Sequence, residues 1–121
     1  MKKTVILGAS ANPARYAYMA AEMLTRYGHE IAPIGIKKGV VCGVPILPLE
    51  QKPYPDKVHT ITLYISQVNQ QPWLDYIIAL KPVRIIFNPG TENPELEHRA
   101  RMAGIEIVHG CTLVMLRTGQ Y

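Results

Sequence analysis

Long apolar runs are missing from this sequence. Its first residues, MKKTVILGASA, hold two lysines and a short apolar run, but the strongly apolar part is only Val5 to Leu7. That is shorter than a secretory signal requires. No other stretch approaches the ~20 apolar residues of a membrane span. No membrane partner is expected, and the expected location is cytoplasmic. Cysteine is also scarce. Cys42 and Cys111 lie far apart and make no disulfide framework. The histidines, His29, His59, His98 and His109, are scattered, and no His/Cys cluster has zinc spacing. No serine sits in a nucleophile-elbow pattern. With 13 Lys+Arg against 9 Asp+Glu the net charge is +4 and the pI about 9.2, which suits an anionic partner. No dense Lys/Arg block or aromatic-basic interleaving accompanies it, so nucleic acid is not expected.

What is present is enough apolar material for one core. Hydrophobic residues make up 48% of the 121 residues and charged ones 18%, which fits a single folded domain over 1–121. Val5 to Leu7 read as a strand buried on both faces. Asn12 and Pro13 have the chemistry of a helix opening, and Ala17, Ala20, Met23, Leu24 and Tyr27 follow at helical spacing up to Gly28. HEIAPIG reads as a second strand, and the Gly- and Pro-rich stretch from Lys37 to Pro55 as mostly loop. His59 to Ser66 reads as a third strand, Gln70 to Leu80 as a helix, and VRIIF as a fourth strand. NPELEHRARMAG repeats the Asn-Pro…Gly frame as a helix, and IEIVHG is the fifth strand. Strands separated by crossovers of a dozen or more residues predict a five-stranded parallel sheet covered on both faces, a three-layer α/β domain of Rossmann type.

In such sheets ligands sit beyond the carboxyl ends of the strands. The first end is GASANP. Gly8 allows a sharp turn, Ala9 and Ser10 keep the approach narrow, and the following helix aims free N–H groups at the turn. A phosphate is the natural guest. A ligand-free tight turn needs small residues too, and the full G-x-G-x-x-G pattern is absent, so this motif alone leaves both readings open. The second end is PIGIKKG. No acid stands between Glu30 and Glu50 to hold the ribose of NAD; Ile36, Lys37 and Lys38 stand there instead. A lysine pair suits a ribose phosphate, as in NADP or coenzyme A, and it also suits a plain solvated turn. The third end offers Ile65 and Ser66, fit to flank an adenine or a pantetheine arm. The fourth offers Asn88, Pro89 and Gly90 in a tight turn, and the Thr91 hydroxyl.

VILGASANP, the lysine turn with GVPILP downstream, and NPGTENPELEHRARMAGIEIV together resemble the small stand-alone CoA-binding proteins of Rossmann type, relatives of the CoA-binding domain in the succinyl-CoA synthetase α subunit. The likeness runs from about Thr4 to Cys111 in order and spacing. It implies that Gly8, Ala9, Ser10, Asn12 and Pro13 form the nucleotide-phosphate turn, with Arg15 helping to neutralise phosphate. It implies that Ile36 and Lys37, with Lys38 as a second candidate, hold the adenosine end of CoA or an acyl-CoA. Ile65 and Ser66 match third-strand contacts, and Asn88, Pro89, Gly90 and Thr91 the loop beside the pantetheine. Two features depart from the relatives. FNPGT stands where many carry a Gln-rich stretch, and a chain of this length has no room for the second domain that brings a phosphorylated histidine in the synthetases. The implied role is therefore binding without ligase chemistry.

Two other readings stay open: an NADP-binding oxidoreductase or redox sensor on the same fold, and a scaffold for a protein partner. His109 and Cys111 are close enough in sequence to suggest a thiolate pair, and Glu92, Glu95 and Glu97 read as charges in the first turn of the last helix. Small sheets of this type often bury a face by pairing, so a homodimer is also open.

Overall fold

The architecture comes from a computed structural model that describes all residues, 1–121. β1 (Thr4–Leu7) leads through a turn to α1 (Tyr16–Arg26), and the chain returns as β2 (Ile31–Gly35). A small hairpin follows, β3 (Val40–Val41) against β4 (Val44–Pro45), then β5 (Leu47–Pro48) and a 3-10 turn at Leu49–Gln51. β6 (Thr60–Leu63) is followed by α2 (Gln67–Gln70), a 3-10 turn at Gln71–Trp73, and α3 (Leu74–Ala79). β7 (Arg84–Phe87), α4 (Pro94–Met102), β8 (Glu106–His109) and α5 (Thr112–Arg117) complete the order.

One sheet of parallel strands runs β5-β2-β1-β6-β7-β8. After β1 the chain builds outward through β2 to β5. It then crosses back to lay β6 against the other side of β1, with Leu7 level with both Ile34 and Leu63. The direction of winding therefore reverses between β1 and β6, and a crevice opens there at the carboxyl ends. Alternate side chains feed two cores. Val5, Leu7, Ile61, Leu63, Ile85 and Phe87 meet Leu74, Ile77, Leu96 and Ala100 of α3 and α4 on one face. Ile6 and Ile86 meet Ala17, Ala21 and Leu24 of α1 and Met115 and Leu116 of α5 on the other. No helix is long and apolar enough to cross a membrane.

Four differences from the sequence expectation have physical causes. The sheet has six strands, not five, because β5 pairs Leu47 and Pro48 with Ile34 and Gly35. A two-residue strand that includes proline survives only at a sheet edge, which is where β5 lies. Its neighbour, the β3–β4 hairpin, turns on Cys42 and Gly43, both at positive φ (52° and 76°), as a two-residue hairpin turn demands. The helix expected over Gln70 to Leu80 starts earlier and is broken by the 3-10 turn that holds Pro72. α5 lies beyond the last element expected; its six residues are too few for helical spacing to stand out. Finally, α1 starts at Tyr16, not beside Asn12, and its first turn borders the site.

Candidate functional site

The β1–α1 turn is fastened before it can receive anything. Gly8 takes φ +98°, which a side chain would strain, and the N–H groups of Gly8 and Ala9 both donate to the Ile34 carbonyl at 2.9 Å. The turn thus crosses the end of β2 so closely that a Cβ on Gly35 would lie 2.5 Å from the Ala9 carbonyl oxygen. Ser10 Oγ then accepts from the Asn12 N–H at 3.0 Å, and Asn12 Oδ1 accepts from the Ala14 N–H at 3.0 Å. The Asn12 carbonyl accepts from the Arg15 N–H. Asn12 therefore shapes a turn three residues ahead of the helix instead of capping it. The N–H groups of Ser10, Ala11, Tyr16 and Ala17 are left without a partner inside the protein. All four of those residues border one cleft of about 550 Å³.

β2 delivers the opposite wall. Past Gly35 the chain exposes Ile36, Lys37 and Lys38, then folds back so that a Cβ on Gly39 would be 2.7 Å from the Ala11 methyl. The lysine turn and the glycine turn are thus in contact. Lys37, Lys38 and Arg15 all border the cleft, and none of the protein's ion pairs uses them. Three unpaired cations beside four free amides at a helix N-terminus make a strongly anion-attracting surface.

The other half of the cleft is quieter. Past β6, Tyr64 and Ser66 border it. Burial pushes the Tyr64 phenol up to about 12, against the pull of hydrogen bonds with Thr62 and Thr112, so it stays a neutral hydroxyl. Past β7, Pro89, Gly90 and Thr91 border it, with the Thr91 hydroxyl donating to the Asn88 carbonyl at 2.7 Å. Glu92 does not join the helix that follows. Its Oε1 accepts from the Gly90 N–H at 3.0 Å.

The structure therefore brings Gly8, Ala9, Ser10, Asn12, Arg15, Ile36, Lys37, Lys38, Ser66, Pro89, Gly90 and Thr91 to one cleft. Pro13, Ile65 and Asn88 do not border it. Ile65 packs, partly buried, against the core that holds Leu7 and Leu63. Asn88 is buried behind the cleft and fully engaged: its Nδ2 donates to Thr62 Oγ1 and the Leu63 carbonyl, and its Oδ1 accepts from the Thr112 N–H. It ties β7 to β6 and to the start of α5. Four lining residues were not anticipated: Ala11, Tyr16, Ala17 and Tyr64. Tyr16 and Ala17 escaped because Asn-Pro suggested too early a helix start. Tyr64 is the neighbour of the expected pair Ile65 and Ser66, with the alternation shifted by one. His109 faces Glu97, Nε2 to Oε1 at 3.0 Å, and rests against Phe87. Cys111 is half-buried, and neither residue borders the cleft.

A parallel sheet with a cation-lined crevice at its switch point defines an α/β protein of Rossmann type. The chain belongs to a family within that class, the CoA binding domain, which matches residues 2–117. A solved structure of an uncharacterized protein is 54% identical and superposes with a TM-score of 0.96, covering 100% of this chain and 98% of the other. A hypothetical protein from Pyrococcus horikoshii OT3 is 24% identical at a TM-score of 0.84, covering 97% and 82%. An acetyl-coenzyme A synthetase from Ca. Korarchaeum cryptofilum, solved with phosphate and ADP, is 20% identical at 0.72, covering 90% of this chain and 25% of that one. At those last two identities the likeness is one of fold. No curated protein matches the sequence.

Proposed function

We propose that this chain binds coenzyme A or an acyl-CoA in the cleft, through its phosphates, without ligase chemistry of its own. The observation that carries the reading is the contact between the glycine turn and the lysine turn, which makes their amides and cations face one space. The amides of Ser10, Ala11, Tyr16 and Ala17 take the pyrophosphate, in a turn shaped by Gly8, Ala9, Asn12 and Pro13, with Arg15 as counter-charge. Lys37 and Lys38 take the phosphate on the ribose, and the exposed Ile36 offers an apolar surface to the adenine. Ser66, Pro89, Gly90 and Thr91 flank the pantetheine arm, with Ile65 and Asn88 supporting them from behind. Membership of the CoA binding domain family supports this choice over an NADP-linked activity, which the lysine turn alone would also serve.

A thermal-shift panel tests it. A ligand that binds only the folded state stabilises it by about 2.7 kcal/mol at a hundredfold excess over its dissociation constant. The expected order is CoA first, dephospho-CoA smaller, NAD negligible. A shift with NADP and none with CoA would hand the cleft to the oxidoreductase or sensor reading.

A further inference from the structure

The cleft is electrically lopsided. Its positive groups, Arg15, Lys37 and Lys38, all lie over the ends of β1 and β2. None of the lining residues over β6 and β7 is cationic, and the nearest charge in sequence there is Glu92, exposed, with its carboxylate bonded to the Gly90 N–H at 3.0 Å. That bond has a second effect. It occupies an amide that would otherwise be a donor for an anionic ligand group, just as the free amides of Ser10 and Ala11 are at the other end. The polar groups of Thr91, which borders the cleft, are also spent internally. The Thr91 N–H and hydroxyl both go to the Asn88 carbonyl, and the Thr91 carbonyl accepts from Gln70.

The spacing says which part of a ligand meets that end. The pantetheine arm leaves from the pyrophosphate, over β1, and β1 and β7 are two strand steps apart in the sheet, about 10 Å at about 4.8 Å per step. The pantetheine arm has the chain length of about four residues and so reaches about 14 Å when extended. With the pyrophosphate over β1 and the ribose phosphate over β2, the extended arm brings the sulfur and whatever acyl group it carries to the β7 turn, where the lining residue Gly90 is bonded to the Glu92 carboxylate just outside the cleft lining.

We infer that Glu92 is a specificity-determining residue that biases this site against acyl groups ending in a carboxylate, and toward free CoA or neutral acyl thioesters. The inference rests on the proposed CoA reading. Its physics is like-charge repulsion at a partly solvated rim, reinforced by the loss of the Gly90 amide as a donor. At 0.1 M salt Lys37 and Lys38, over β2 and three strand steps or about 14 Å from β7, lie beyond the screening length of about 10 Å, and Arg15 is matched by the pyrophosphate, so they do not cancel it.

Titration calorimetry with CoA, acetyl-CoA and malonyl-CoA, at 0.1 M salt, on the wild type, Glu92→Gln and Glu92→Lys, tests this. Glu92→Gln keeps an oxygen to accept from Gly90 and removes only the charge. The wild type should bind acetyl-CoA about threefold more tightly than malonyl-CoA. The ratio should fall to about one in Glu92→Gln and invert in Glu92→Lys. Equal affinity for the two acyl-CoAs in the wild type, or a preference unchanged by either substitution, overturns the inference while leaving CoA binding intact. No heat with CoA itself overturns the proposed function, and the assignment of Glu92 with it.

Discussion

Lys37 and Lys38 carry the most exposed part of the account, since nothing in the protein neutralises them. Replacing both by alanine should weaken CoA binding about tenfold, from the loss of charge-assisted contacts to one phosphate. Dephospho-CoA, which lacks that phosphate, should lose much less, and equal losses in a titration of both would remove the lysines from that role. Gly35 is a different kind of residue. An alanine there puts a methyl 2.5 Å from the Ala9 carbonyl oxygen, so the turn over β2 must move. The expected cost is about 1–3 kcal/mol of unfolding free energy, measured in urea, together with weakened CoA binding. The sequence made Gly8 legible because a glycine after a strand and before a helix has few other uses. It hid Gly35, whose need is a neighbour's backbone brought there by the fold. Asn88 misled in the opposite sense. A polar residue at a strand end can look outward to a ligand or inward to orphaned groups, and here three internal bonds hold it inward.

At the scale of elements, one dipeptide gives two results. Asn93-Pro94 opens α4 as expected: Asn93 Oδ1 accepts from the Glu95 and Leu96 N–H groups, and Glu97 reaches back to the Asn93 N–H. Asn12-Pro13 instead closes a turn between Ser10 and Arg15, and α1 begins without a side-chain cap. That uncapped start leaves amides free at the cleft, a local sacrifice of helix stability at the place where a ligand's oxygens can replace the cap. Asn93→Ala should therefore cost about 1 kcal/mol in urea unfolding. Asn12→Ala should change stability less and CoA affinity more; the reverse ranking would assign Asn12 to structure alone. Elements of four or more buried residues with one clear period were readable from sequence. The two-residue strands, the broken α2–α3 helix and the short α5 carry too few residues for a period, and only tertiary contacts define them.

For the whole molecule, the end of the sheet away from the cleft sets the response to acid. His29 Nδ1 accepts from the Lys2 N–H at 2.9 Å, which requires that nitrogen to be unprotonated, and its ring lies against Tyr121. Burial, then the positive N-terminus, Lys2 and Arg84, hold His29 below its usual 6.5, and His59 is lowered by burial and Arg84. Both groups bind protons more readily in the unfolded chain, so the stability they contribute is complete above about pH 6.5 and declines as the pH falls below it. Urea midpoints should drop between pH 7 and 5, and His29→Gln with His59→Gln should flatten that slope. A slope untouched by both changes would place the acid sensitivity elsewhere. The parallel sheet, its two covered faces and the edge at which the cleft opens were all legible in the order of strands and crossovers. The sixth strand was not, because β5 exists only by leaning on β2.

The central claim is that two neighbouring turns receive one multiply charged ligand, and amide chemical shifts read this residue by residue. On titration with CoA, the N–H signals of Ser10, Ala11, Tyr16 and Ala17 should move together with those of Ile36, Lys37 and Lys38, all following a single dissociation constant. Shifts confined to one of the two turns, or gathered instead at Ile78, His98 and Met102, which line a shallow groove between α3 and α4, would contradict it.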